Sequence, residues 1–127
     1  MLRHIGIHIH DEKDVKDFYH EILGFQELNR FDLSEKTAHN VFGTQHHIEV
    51  VRMKQFELMI ELMICPEEKS DGMSHMALEY WKAESVAEKA KEKGYTVIEF
   101  QKDNDHTGRY IKDKAGNIFE IKDINFG

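Results

Sequence analysis

The sequence predicts an α+β protein made of two βαβββ modules in a pseudo-twofold arrangement that forms a cleft. Three observations predict it. RHIGIHI and SHMALEY both alternate apolar and polar residues with period two, as half-buried strands do. Each is followed by one helical segment ending in glycine and then by three strand-like segments. Gly24 to Gly94 spans 70 residues and His4 to His75 spans 71, so the two halves stay in register. A sheet with one helix leaves a face open, which two such units cover by packing together. Strands in runs after each helix fit neither a helical bundle nor a doubly wound sheet. The 127 residues are expected to form a single domain, with module one at about 1–66 and module two at about 73–127.

In module one, His4, His8 and His10 share the first strand with Ile5, Ile7 and Ile9, so one face is isoleucine and the other is Gly6 with imidazole. Val15, Phe18, Tyr19, Ile22 and Leu23 then mark one helical face, with Asp11 as N-cap and Gly24 as left-handed cap. Phe25 to Phe31 reads as a strand and the polar DLSEKTAHN as a loop. Strands are expected at about 47–54 and 56–64, closed by Cys65-Pro66 and the loop EEKSDGM.

In module two, SHMALEY is the strand and SVAEKAKEKG the helix, with Ser85 and Glu88 as capping box and Gly94 as C-terminal cap. TVIEF, RYIKD and IFEIKDI supply the remaining strands, with a turn at Ala115-Gly116-Asn117.

Bulk composition narrows the function. The formal charge of −7 argues against binding nucleic acid or an anionic membrane, and one cysteine permits no intramolecular disulfide. With no leader-like apolar run near the start, a reducing cytoplasmic setting is the default expectation. Exposed sheet edges favour a homodimer, and the expected partner is a small-molecule substrate. Nine histidines are the first hint of chemistry.

Each half carries a histidine near the start of its first strand, His4 and His75, and a glutamate inside an apolar last strand, Glu61 in MIELM and Glu120 in IFEIK. If the halves are related by a twofold, the four converge. Two imidazoles and two carboxylates suit one divalent first-row cation (Zn, Ni, Co, Mn or Fe). Glu57 stands four residues before Glu61, hence on the same face of a continuous strand, and is the competing ligand.

HIGIHIHDEKDVKDFYHEILGF, IELMICP, SHMALEY and HTGRYIKDKAGNIFEI resemble, in order, the vicinal oxygen chelate superfamily, the glyoxalase I, bleomycin-resistance and dioxygenase fold. The resemblance covers nearly the whole chain. It implies metal ligands at His4, Glu61, His75 and Glu120, and favours Glu61 over Glu57 because a proline, here Pro66, often follows the ligand by five residues. DKAGN departs from the usual Asp-Pro-Asp-Gly, which alters a turn and no ligand.

The resemblance also implies a metal-dependent lyase or isomerase. Glu120 is the expected base and Glu61 the group that returns the proton. The substrate expected is a hemithioacetal or related α-oxo compound. The alternatives are an acyl-thioester epimerase, a thiol transferase of the fosfomycin-modifying kind, or a sequestering protein of the bleomycin-resistance type. An extradiol dioxygenase needs one carboxylate fewer.

Other residues carry lesser expectations. His8 shares the His4 face and is expected to touch substrate, and Arg109 is the candidate anion binder. His106 lies in a loop able to cover the site. His10, His46 and His47 read as solvated. Met53, Met59, Met63 and Met73 read as gap fillers, and Cys65 has no base beside it in sequence.

Overall fold

The computed structural model describes residues 2–67, 75–101 and 105–124. The chain divides into two compact units, 1–70 and 71–127. The first contains β1 (Ile5–Ile9), a π-helix (Val15–His20), β2 (Gln26–Asp32), α1 (Glu35–Phe42), β3 (Glu49–Gln55) and β4 (Leu58–Ile64). The second contains β5 (His75–Tyr80), α2 (Ala83–Glu92), β6 (Thr96–Gln101), β7 (Thr107–Lys112) and β8 (Ile118–Asp123).

Each unit forms one four-stranded sheet, ordered β1-β4-β3-β2 in the first and β5-β8-β7-β6 in the second. In both, the first strand runs parallel to the last, and the other pairs are antiparallel. The internal repeat read from the sequence is therefore a repeat of strand order. The α+β class with two such modules is the architecture observed.

Alternation decides what each sheet face does. Ile7 and Ile9 of β1, Val51 and Met53 of β3, and Ile60 and Leu62 of β4 are buried. Val15, Phe18, Tyr19, Ile22 and Leu23, the helical face the sequence indicates, are buried, and so is Phe25 just ahead of β2. The local geometry differs from a plain α-helix. Glu21 N–H donates to Lys16 O and Leu23 N–H to Phe18 O, five-residue steps of a wider turn. The chain leaves through Gly24 at φ +92°, where a side chain would be strained and its Cβ would sit 2.7 Å from the Gln55 amide nitrogen. Asp11 accepts from Lys13 N–H at 2.8 Å, just ahead of the helix.

Two expectations are corrected. The polar stretch after β2 is no loop but helix α1, capped by Ser34, whose hydroxyl accepts Thr37 N–H at 3.1 Å, and ended by Gly43 in the left-handed region. Ala38 of α1 packs with Ile48, Val50 and Cys65 in a second apolar cluster that Leu33 and Met63 flank. In unit two, α2 starts before Ser85, so the Ser85–Glu88 capping box does not form. Asp123 at the end of β8 accepts Ala83 N–H at 2.8 Å and caps the helix from a distance.

The turn expected at Ala115-Gly116-Asn117 is present and begins at Asp113, whose carbonyl accepts Gly116 N–H at 3.1 Å. Asp113 accepts from Asn117 N–H and from the Asn117 amide, each at 2.8 Å, with Gly116 at φ +92°. Most of the EEKSDGM segment, with Met73, lies outside the described residues. No helix among the described residues is long and apolar enough to cross a membrane.

Candidate metal centre

Glu61 stands in mid-β4, opposite Gly6 on β1 and Arg52 on β3. Ile60 and Leu62 on either side are buried, so alternation presents Glu61 on the other face, with its side chain 14% exposed. Its two oxygens are divided between partners. Oε2 accepts from Arg52 Nη2 at 2.9 Å and Nε at 3.1 Å, and Oε1 lies 3.3 Å from His4 Nε2. His4 immediately precedes β1 and is half exposed. Gly6, two residues on, adds no side chain beside the carboxylate.

The Arg52 guanidinium lies 5.5 Å from the Phe31 ring centroid, a cation–π distance. A register shift between Glu27 and Asn29 brings Asn29 opposite Arg52.

Unit two repeats the register. Glu120 stands in mid-β8, opposite Ala77 on β5 and Tyr110 on β7, between the buried Phe119 and Ile121. It is 15% exposed. Tyr110 Oη donates to Glu120 Oε2 at 3.2 Å, and Lys122 Nζ lies 3.7 Å from the same oxygen. Phe100 stacks on the Tyr110 ring at 6.1 Å between centroids. His75 opens β5 two residues before Ala77, so period-two alternation sets it on the Glu120 face. Glu120 and His106 line one groove of about 650 Å³.

Within each unit, then, one imidazole and one carboxylate share a sheet face. In each, the carboxylate is flanked by a small residue, Gly6 or Ala77, and held by a polar side chain that a phenylalanine of the edge strand supports. Taken unit by unit, the described residues gather no three His, Cys, Asp or Glu side chains around one point. The donor chemistry of unit one nevertheless fits half of a divalent site. An imidazole nitrogen and a carboxylate oxygen lie side by side, and the carboxylate is covered enough to require a cation or strong donors.

Glu57 is removed from the strand. It is exposed in the β3–β4 turn after Phe56, which takes a positive φ of 51°. A shared face with Glu61 requires a continuous strand, and the turn at 56–57 interrupts it.

His8 Nε2–H donates to Cys65 O at 2.7 Å, and His10 meets the His8 ring edge-on at 4.9 Å. Arg109 Nε donates to Glu99 Oε2 at 3.0 Å, and Glu99 also pairs with Lys91 of α2. These partners lower the Glu99 carboxyl below its usual range, the Lys91 hydrogen bond most, and Arg109 also lines the groove that Glu120 and His106 line. Tyr110, its neighbour, faces Glu120. The cation on a candidate carboxylate is Arg52, which sequence reasoning missed.

His46 and His47 are exposed, His47 beside Asp32 at 3.2 Å, as surface residues. Met53 is fully buried, and the buried Cys65 thiol donates to Glu67 at 3.6 Å.

The fold finds counterparts in known proteins. A family model described as Glyoxalase/Bleomycin resistance protein/Dioxygenase superfamily matches residues 2–121. A glyoxalase family protein from Enterococcus faecalis is 20% identical, with 95% of each chain covered and a TM-score of 0.72. A glyoxalase family protein from Bacillus cereus is 16% identical, covers 96% of this chain and 92% of its own, and gives 0.74. The fosfomycin resistance protein FosX of Listeria monocytogenes, as a variant complexed with Mn(II) and 1S,2S-dihydroxypropylphosphonic acid, is 17% identical. There the shares are 96% and 88% and the TM-score 0.68. At these identities the likeness is one of fold. No curated protein matches the sequence. With the family model spanning nearly the whole chain and the strand order repeated in both units, the chain belongs to the Glyoxalase/Bleomycin resistance protein/Dioxygenase superfamily.

Proposed function

We propose that the protein is a metal-dependent lyase or isomerase of glyoxalase I type, with His4, Glu61, His75 and Glu120 as ligands to one divalent cation. The observation that carries this reading is the shared register. Gly6–Glu61–Arg52 and Ala77–Glu120–Tyr110 occupy equivalent places in two sheets of the same order, each with a histidine two residues before the small residue. A bound divalent cation supplies Lewis-acid stabilisation of the negative charge that develops on two adjacent substrate oxygens.

The two carboxylates are held differently, and that difference divides the work. Arg52 grips Glu61 with two N–H donors of a fixed cation, which suits an anchoring ligand. On Glu120 the Tyr110 donor is a neutral hydroxyl, which can rotate with a carboxylate that turns towards a carbon-bound proton. The flexible Lys122 ammonium at 3.7 Å adds little restraint. Glu120 thus removes the proton from the carbon next to the carbonyl, and the proton returns at the adjacent carbon. For a hemithioacetal the product is a 2-hydroxyacyl thioester. Leu28 and Phe31 on β2, and Ile98 and Phe100 on β6, are exposed apolar residues on edge strands, which supports a homodimer.

The test is metal analysis with a catalytic screen. Stripped protein is reloaded with Zn, Ni, Co or Mn and assayed on methylglyoxal with several thiols. Turnover with at least one metal is expected, and Glu120→Gln should lower kcat by about a hundredfold or more while retaining part of the metal affinity. Full activity in Glu120→Gln, or protein that takes up no cation, overturns the reading. Arg52 beside Glu61 favours a second one, the fosfomycin-modifying thiol transferase, since a guanidinium there can meet a phosphonate. Including fosfomycin in the screen separates the two.

A further inference from the structure

Beside Glu61, on the same face of the first sheet, lies a small cavity of about 200 Å³ lined by His8, Phe42, Thr44, Ile48, Met63 and Cys65. We infer that it receives an apolar substituent of the substrate, a branched alkyl group or an aromatic ring, so that the substrate is an α-oxo compound with such a group. This rests on the proposed vicinal-oxygen chemistry at Glu61 and names what the substrate carries beyond its paired oxygens.

Three observations support it. The first is position. Met63 follows Glu61 by two residues on β4, and His8 is its Cα partner on β1, so both stand on the Glu61 face, one side-chain step of about 7 Å along the sheet. The Met63 sulfur also lies 3.6 Å from where a Cβ on Gly6 would be, which ties that step to the residue opposite Glu61.

The second is chemistry. Among the described residues, no carboxylate, ammonium or guanidinium lines the cavity. His8 Nε2–H is bonded to the Cys65 carbonyl, and the Thr44 hydroxyl accepts His46 N–H at 3.1 Å. Among the described lining residues a phosphate or carboxylate would meet no lysine or arginine. An uncharged apolar group would lose only water, and a cavity of about 150 Å³ lined by apolar side chains is enough for benzene.

The third is construction. Helix α1, with the Gly43 turn after it, carries Phe42 and Thr44 to the cavity. Phe42 is 52% exposed, so part of its ring is available to cover a bound apolar group.

The test uses two hydroxamates, each with an adjacent pair of oxygens, that differ in the attached group: benzohydroxamate and acetohydroxamate. Both are titrated calorimetrically into zinc-loaded protein carrying 13C-methyl methionine, with the Met63 signal assigned by its loss in Met63→Leu. The expected result is at least tenfold tighter binding of benzohydroxamate. Only that probe should give the Met63 methyl a ring-current shift, and the affinity ratio should shrink several-fold in Phe42→Ala. Equal affinities, or a Met63 methyl that does not move while both probes bind, overturn this assignment and leave the metal reading standing. Failure to take up zinc removes the metal reading and this assignment with it.

Discussion

Arg52 and Glu61 face each other across the β3–β4 ladder, with the guanidinium on Oε2 and His4 turned towards Oε1. One carboxylate thus has a permanent cation on one oxygen and an imidazole beside the other. A divalent ion bound at Glu61 would have to coexist with that guanidinium, and the energetics of the pair follow from this.

Removing the guanidinium while keeping its stem on Phe31 isolates the charge. Arg52→Met leaves a largely covered carboxylate without its main donor, which should lower metal-free stability by about 1–3 kcal/mol. A cation would restore a partner and no longer meet repulsion from Arg52. Zinc is therefore expected to raise the melting temperature of Arg52→Met by more than it raises that of the unmodified protein. Thermal denaturation with and without zinc reads this directly, and an equal or smaller rise would sink it.

The two candidate carboxylates of module one can be ranked by zinc titration. Glu57 sits in an exposed turn and Glu61 next to His4. Glu61→Gln is expected to weaken zinc binding by about tenfold or more, a loss of about 1.4 kcal/mol at least. Glu57→Gln should be indistinguishable from the parent. The reverse order would show that the turn, and not mid-β4, carries the ligand.

What was legible in the sequence was whatever a short window or the internal repeat records. Alternation in RHIGIHI, the apolar face from Val15 to Leu23, and glycines at helix ends are local, and they held. The histidines and glutamates of the candidate site came from comparing halves. Helix α1 escaped because it buries only Ala38, so its sequence is nearly as polar as a loop, although Ser34 and Gly43 marked its ends. The start of α2 escaped because its cap, Asp123, is 40 residues away. Arg52 and Tyr110 escaped for a related reason. Their partnership with the glutamates depends on cross-strand register, which no sequence window contains.

The cap on α1 offers a stability measurement. Ser34→Ala removes the acceptor for Thr37 N–H and should cost about 1 kcal/mol in urea denaturation. Because Ala38 anchors α1 against Ile48 and Val50, the loss should register in global unfolding and not merely as fraying. A midpoint that does not change would mean that α1 contributes nothing to the cooperative unit.

At alkaline pH one contributing group is Tyr80, the last residue of β5. Burial pushes its phenol above the ordinary value of 10.0. In the unfolded chain the same phenol ionises near 10, so between that pH and the folded value only the unfolded state gains by losing the proton. The contribution of Tyr80 is therefore fully present below pH 10 and is lost as pH rises beyond it, with a slope of up to about 1.4 kcal/mol per pH unit. Tyr80→Phe lacks that ionisation. Its unfolding free energy, followed in denaturant from neutral pH to about 11.5, should fall less steeply above pH 10 than that of the parent, while other alkaline losses are common to both. Parallel alkaline limbs would show that the phenol is as exposed to ionisation in the folded protein as in the unfolded chain.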